Sequence, residues 1–131
     1  IGGAISIIGF SYNTFKVFTI ANVAIDSGTF STIYTVAGST TGIVLGLNIC
    51  NKDATDRDVT VKISSNTGNR TGNNDAANVD VTLLNEVAVP ADSTLEVFGG
   101  QKLVLEATDV LTIGASAGSV LDATLSVLEI T

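Results

Sequence analysis

The chain has 131 residues with 45% hydrophobic side chains, enough for one buried core and too apolar for a disordered chain. Six basic residues against thirteen acidic ones leave a net charge of −7, a field that repels phosphate backbones and anionic lipid surfaces. Lys16, Lys52, Arg57, Lys62, Arg70 and Lys102 stand singly, so neither nucleic acid nor a membrane is expected as a partner.

Residues 1–10 (IGGAISIIGF) open the chain with an apolar run interrupted by Gly2, Gly3 and Gly9. The run is far short of the ~20 residues that cross a bilayer and has no charged leading region, so it reads as neither anchor nor signal peptide. Residues 1–13 are expected to form an extended N-terminal arm, followed by one domain over residues 14–131. Six of the seven aromatic residues lie in the first thirty-four positions. An apolar, glycine-rich arm beside them is uncomfortable in water, which makes Ile1, Ile5, Ile7, Ile8, Phe10, Tyr12, Phe15 and Phe18 the candidate interface.

From residue 14 onward helical periodicity is nearly absent and Val, Ile and Thr dominate, which predicts strands. Residues 14–20 (TFKVFTI) and 32–36 (TIYTV) are the first two. Residues 42–50 (GIVLGLNIC) are apolar at nearly every position and predict a strand buried on both faces or lying against a neighbouring subunit. Lone Cys50, inside that run, has no disulfide partner and reads as a small buried hydrophobe. Residues 51–58 (NKDATDRD) gather three aspartates around Lys52 and Arg57; their spacing misses the calcium-loop pattern, and they read as a solvated turn.

Residues 57–64 (RDVTVKIS) alternate strictly, with Val59, Val61 and Ile63 toward a core and Thr60, Lys62 and Ser64 toward water. Residues 66–78 (NTGNRTGNNDAAN) have no periodicity and predict a long solvent loop, which includes a chance-level glycosylation pattern at Asn69. Further strands are expected at 78–85, 94–98, 102–106, 110–114 and 119–131, and two of these, KLVLE and SVLDATLSVLEIT, again look apolar on both faces. Turn residues at 26–28, 37–39, 90–93, 99–101 and 115–118 punctuate them at short intervals, and Pro90 falls between strands. About eight or nine short strands without intervening helices predict an all-β fold, an antiparallel, jelly-roll-like β-sandwich.

Chemistry-bearing patterns are scarce. The chain has no histidine, so the commonest general base and the commonest neutral metal ligand are both missing. The glycine pairs at 2–3 and 99–100 open no helix that could hold a phosphate. No catalytic, cofactor-binding or metal-binding residue is assigned, no cofactor is expected, and the chain does not read as an enzyme.

The order of residues 35–51 (TVAGSTTGIVLGLNICN), 59–63 (VTVKI), 89–113 (VPADSTLEVFGGQKLVLEATDVLTI) and 125–131 (LSVLEIT) resembles small virion structural proteins of tailed phages, especially those of cyanobacteria and other marine bacteria. The resemblance spans about residues 14–131 and rests on the order of strands and turns. It implies a protein of the phage particle, present in symmetric copies, a trimer by preference, in contact with virion proteins such as the major capsid protein. Capsid decoration is the first expectation, and a neck, tail or fibre component the second. A non-viral extracellular adhesin or filament subunit on the same sandwich is the third.

Overall fold

A computed structural model describes residues 12–65 and 79–131. Nine strands follow in chain order: β1 (Asn13–Ile20), β2 (Ser31–Thr35), β3 (Thr41–Asn51), β4 (Arg57–Ser65), β5 (Val79–Val89), β6 (Thr94–Glu96), β7 (Leu103–Leu105), β8 (Val110–Ala115) and β9 (Leu121–Ile130). Residues 1–11 of the expected arm and the 66–78 loop lie outside the described residues.

The turns between strands use the left-handed backbone conformation, which polar residues and glycine adopt at least cost. Ser39 (φ 59°), Asp92 (φ 56°), Ser119 (φ 59°), Gly99 (φ 55°) and Gly100 (φ 87°) all sit there, and three of the predicted turns, 37–39, 90–93 and 99–101, are among them. The strands they join are antiparallel and form two sheets, one ordered β1-β9-β3-β6 with β7 also paired to β3, the other β2-β8-β4-β5. Strands β6 and β7 occupy one place in the first sheet, pairing with opposite ends of β3 through Cys50–Thr94 and Gly42–Leu105. The result is a jelly roll, the double-sheet form of two Greek keys.

Alternate residues of each strand meet between the sheets. Val44, Leu47, Ile49, Leu121, Leu125, Val127 and Leu105 come from the first sheet, and Ile33, Val59, Val61, Leu111 and Ile113 from the second, all buried. Thr60 departs from the expected pattern: it is buried as well, because β4 and β5 shift register beside it and its hydroxyl accepts the Glu86 backbone N–H at 3.1 Å. The bulge places two residues of one strand against one of the other, so the period of two breaks there.

One polar cluster is set into this core. Tyr34, on β2, donates its hydroxyl to the Glu129 carboxylate of β9 at 2.6 Å, and Lys16 of β1 closes on the other carboxylate oxygen at 2.7 Å. The Phe18 ring lies 4.7 Å from the Tyr34 ring, tilted by 38°. Gly42 makes room for this arrangement: a Cβ there would stand 2.7 Å from the tyrosine oxygen and 2.9 Å from a ring carbon. Alanine at this position therefore displaces the ring from Glu129 or the strand from its neighbours.

Gly42→Ala is expected to destabilise the fold by about 1–3 kcal/mol, which for a domain of this size lowers Tm by about 4–10 °C. Gly118→Ala, where a Cβ meets nothing within 4 Å, leaves it unchanged. Thermal unfolding followed by circular dichroism compares the two.

Candidate assembly surface

A strand in a two-layer sandwich has one face in the core and one outside. On β9 the residues Leu121, Ala123, Leu125, Val127 and Glu129 are buried, so Asp122, Thr124, Ser126, Leu128 and Ile130 face outward. The same parity puts Ile43 of β3, Val104 of β7 and Phe15 of β1 on that outer face. Register aligns four of them: Phe15 stands opposite Leu128, Leu128 opposite Ile43, and Ile43 opposite Val104. An apolar row thus crosses four strands on the solvent side, with Phe15 75% and Val104 55% exposed.

A shallower line runs beside it. Val17, 64% exposed, faces Ser126, and Ser126 faces Gly46 across a bulge in β3. Leu45, half-buried, is the extra residue of that bulge. Charge on this face collects at the opposite end, where Glu96 and Asp122 lie opposite Asn48 and Cys50.

The outer face of the second sheet is built from the same register with opposite chemistry. Thr32 pairs with Thr112, Thr112 with Lys62, and Lys62 with Thr82, a polar row across four strands. A groove of about 380 Å³ lies over it, lined by Thr29, Phe30, Lys62, Asp80 and Thr112 among others. The one aromatic ring there is taken up, since the Lys62 ammonium sits 4.7 Å above the centre of Phe30 and Phe30 itself packs onto Gly114. No free ring is left in this groove for a sugar to stack on.

Of the interface residues proposed from sequence, Tyr12 and Phe15 are exposed at the edge of the first sheet, where the Tyr12 carbonyl accepts the Thr131 N–H at 3.0 Å. Phe18 turns the other way and packs against the core and Tyr34. Ile1, Ile5, Ile7, Ile8 and Phe10 lie outside the described residues. Leu128, Ile43 and Val104 were not singled out by sequence; the signal that points to them is the run of strands apolar at every position.

The acidic turn holds itself together. Asn51, buried, donates its side-chain amide to the carbonyls of Thr55 at 2.9 Å and Val89 at 3.0 Å, and its oxygen accepts the Asp53 N–H at 2.9 Å. Asp53 in turn binds Arg57 at 2.6 Å, and Asp56 accepts the Ala91 N–H at 2.9 Å. The Arg57 guanidinium holds the Asp53 carboxyl below its ordinary range. These carboxylates are occupied in shaping the turn, and no group of three or more metal-ligating side chains occurs among the described residues. Cys50 is half-buried rather than buried, because strand parity turns it to the outer face opposite Asp122.

The edge strand β1 carries both Phe15 and Val17, and Lys16 between them points inward to Glu129. Hydrogen bonds from Lys16 and then Tyr34 hold the Glu129 carboxyl below its ordinary value, against the opposing effect of burial. Burial, followed by the bond to Glu129, pushes the Tyr34 phenol up. This network is anchored at the end of the sheet where the apolar row lies.

No protein-family model matches the chain, and no curated protein is similar to it. Similar solved structures exist. One is a chain of the T13 particle of infectious bursal disease virus, with a TM-score of 0.51 and 9% identity, over 90% of this chain and 30% of that one. Another is VP2 in the subviral particle of the same virus, with a TM-score of 0.47 and 11% identity, over 92% of this chain and 32% of that one. The first likeness is one of fold, a jelly roll of the same kind. This chain spans less than a third of either relative's length.

The shifts at Glu129 and Tyr34 define the pH dependence of this end of the sheet. Glu129 has a lowered pKa when folded, so its contribution is complete above its ordinary value of 4.5 and is lost as pH falls below it. Tyr34 has a raised one, so its contribution is complete below its ordinary value of 10.0 and is lost as pH rises above it. Protection of the β1 amides, taken relative to intrinsic exchange at each pH, is therefore expected to fall at both extremes, and Glu129→Gln to flatten the acid limb. An acid limb equally steep in that variant rules the assignment out.

Proposed function

We propose that the chain is a structural component of a virus particle that acts by assembling in many copies. The observation that carries this reading is the apolar row on the outside of a sandwich whose inner faces already fill its core. A two-layer fold has no internal use for Leu128, Ile43 and Val104, whereas a contact with another protein does. The likeness of the fold to a chain of a viral particle supports the setting. The sequence resemblance to phage virion proteins supports a tailed phage as its source.

In its finer form the reading is a capsid decoration protein, a trimer seated on the major capsid protein, with residues 1–13 as an assembly arm ahead of a single domain over 14–131. Contacts of modest size would then gain strength from repetition over a symmetric shell. Ile1, Ile5, Ile7, Ile8 and Phe10 would bury their side chains against neighbours, together with Tyr12 and Phe15.

Quantitative mass spectrometry of purified particles tests both levels. Copy numbers in the hundreds are expected for a decoration protein, and a few dozen or fewer would move the chain to the neck, tail or fibres. Absence from purified particles would overturn the virion reading. Removal of residues 1–11 is expected to lower incorporation at least tenfold.

A further inference from the structure

We infer that the outer face of the five-stranded sheet pairs with the same face of a second copy of this chain. The inference rests on the reading of the chain as an assembling structural protein and names the surface and the partner. Both edges of that sheet are poorly suited to growth. One is β1, where the inward-pointing charge of Lys16 is committed to Glu129. The other is broken into β6 and β7, three residues each. Inward charges and short edge strands are ways in which sheets avoid adding strands. What remains for contact is the face.

Three observations choose a second copy over other occupants. The first is charge: in a chain of net charge −7, two copies meet with least repulsion where carboxylates are absent. The row from Phe15 to Val104 is such a surface, with Asp122 and Glu96 held at the far end. The second is area. Strands about 4.8 Å apart and a rise of about 3.3 Å per residue make the whole face, with Asp122 and Glu96 at its rim, roughly 600 Å². Two faces together bury about 1,200 Å², the lower end of stable specific interfaces.

The third is self-complementarity. The exposed Phe15 stands at one margin of the apolar row and the exposed Val104 at the other, with Leu128 and Ile43 between them. A two-fold axis along the strands, between β9 and β3, lays the Phe15 margin of each copy over the Val104 margin of the other and Leu128 over Ile43, and an isologous contact needs only such a self-matching patch. If the chain forms trimers through its arms, this contact joins one trimer to the next.

Sedimentation equilibrium of the full chain tests the pairing. Val104→Glu and Phe15→Glu, both at exposed positions, are expected to halve the mass of the wild-type species at the same concentration. Thr32→Glu adds the same charge to the polar row of the other sheet and is expected to leave that mass unchanged. Equal masses for all four proteins overturn the inference, as does a loss of mass in Thr32→Glu. Matching circular dichroism spectra and melting temperatures establish that each variant is folded.

Two further outcomes would also overturn it. A wild type of minimal mass that binds an apolar dye only after residues 1–11 are removed would assign the face to the chain's own N-terminal segment. One that binds the dye as it stands would assign it to a different protein. Either result leaves the virion reading to be decided by the particle copy number, so the two can fail separately.

Discussion

Glu129 joins three strands from two sheets: its own β9, the edge strand β1 through Lys16, and β2 of the opposite layer through Tyr34. A buried carboxylate without partners is costly, and here each oxygen has one, a phenol on one side and an ammonium on the other. The bonds are directional, so they set the position of β1 along β9 in a way that apolar contacts alone do not. Gly42 belongs to the same device, because the tyrosine ring crosses the space that any side chain there would fill. A hydroxyl reaching between layers, an open backbone beneath it and an inward lysine are one arrangement seen from three strands.

This arrangement decides which way β1 faces. Read alone, residues 13–20 offer two stripes, with Phe15 and Val17 on one and Lys16, Phe18 and Ile20 on the other. Hydrophobicity would bury Phe15 and Val17 and leave the lysine outside. The fold does the reverse, because Glu129 waits inside for a cation and Tyr34 offers its ring to Phe18. The consequence is an edge strand that presents Phe15 and Val17 to solvent, beside Leu128 and Ile130.

Strand positions are legible from alternation and turn residues, and each of the nine lies within a few residues of a predicted run. The outer face is legible only in outline. The apolar character of residues 42–50, 102–106 and 119–131 on both stripes announces that two faces need cover, but not which is the core. Pairing resolves it: Val127 and Val44 stand opposite each other inside, while Leu128 and Ile43 stand opposite each other outside. Long-range register of this kind joins residues some eighty positions apart, and no local pattern encodes it. The burial of Thr60 is hidden for a similar reason, since a bulge in a distant partner strand creates its site.

The two outer faces make the molecule one-sided. Across the second sheet the aligned residues are Thr32, Thr112, Lys62 and Thr82; across the first they are Phe15, Leu128, Ile43 and Val104. A protein surrounded only by water gains nothing from such a difference, because each exposed apolar side chain forgoes about 25 cal/mol for every Å² it could bury. A protein with one face toward a neighbour and one toward solvent gains from it directly, and the guarded edges confine that contact to the face. Under the proposed pairing, the polar row would keep the opposite side of each copy from joining in, so that association through the apolar face would close on itself instead of continuing through a stack of sheets.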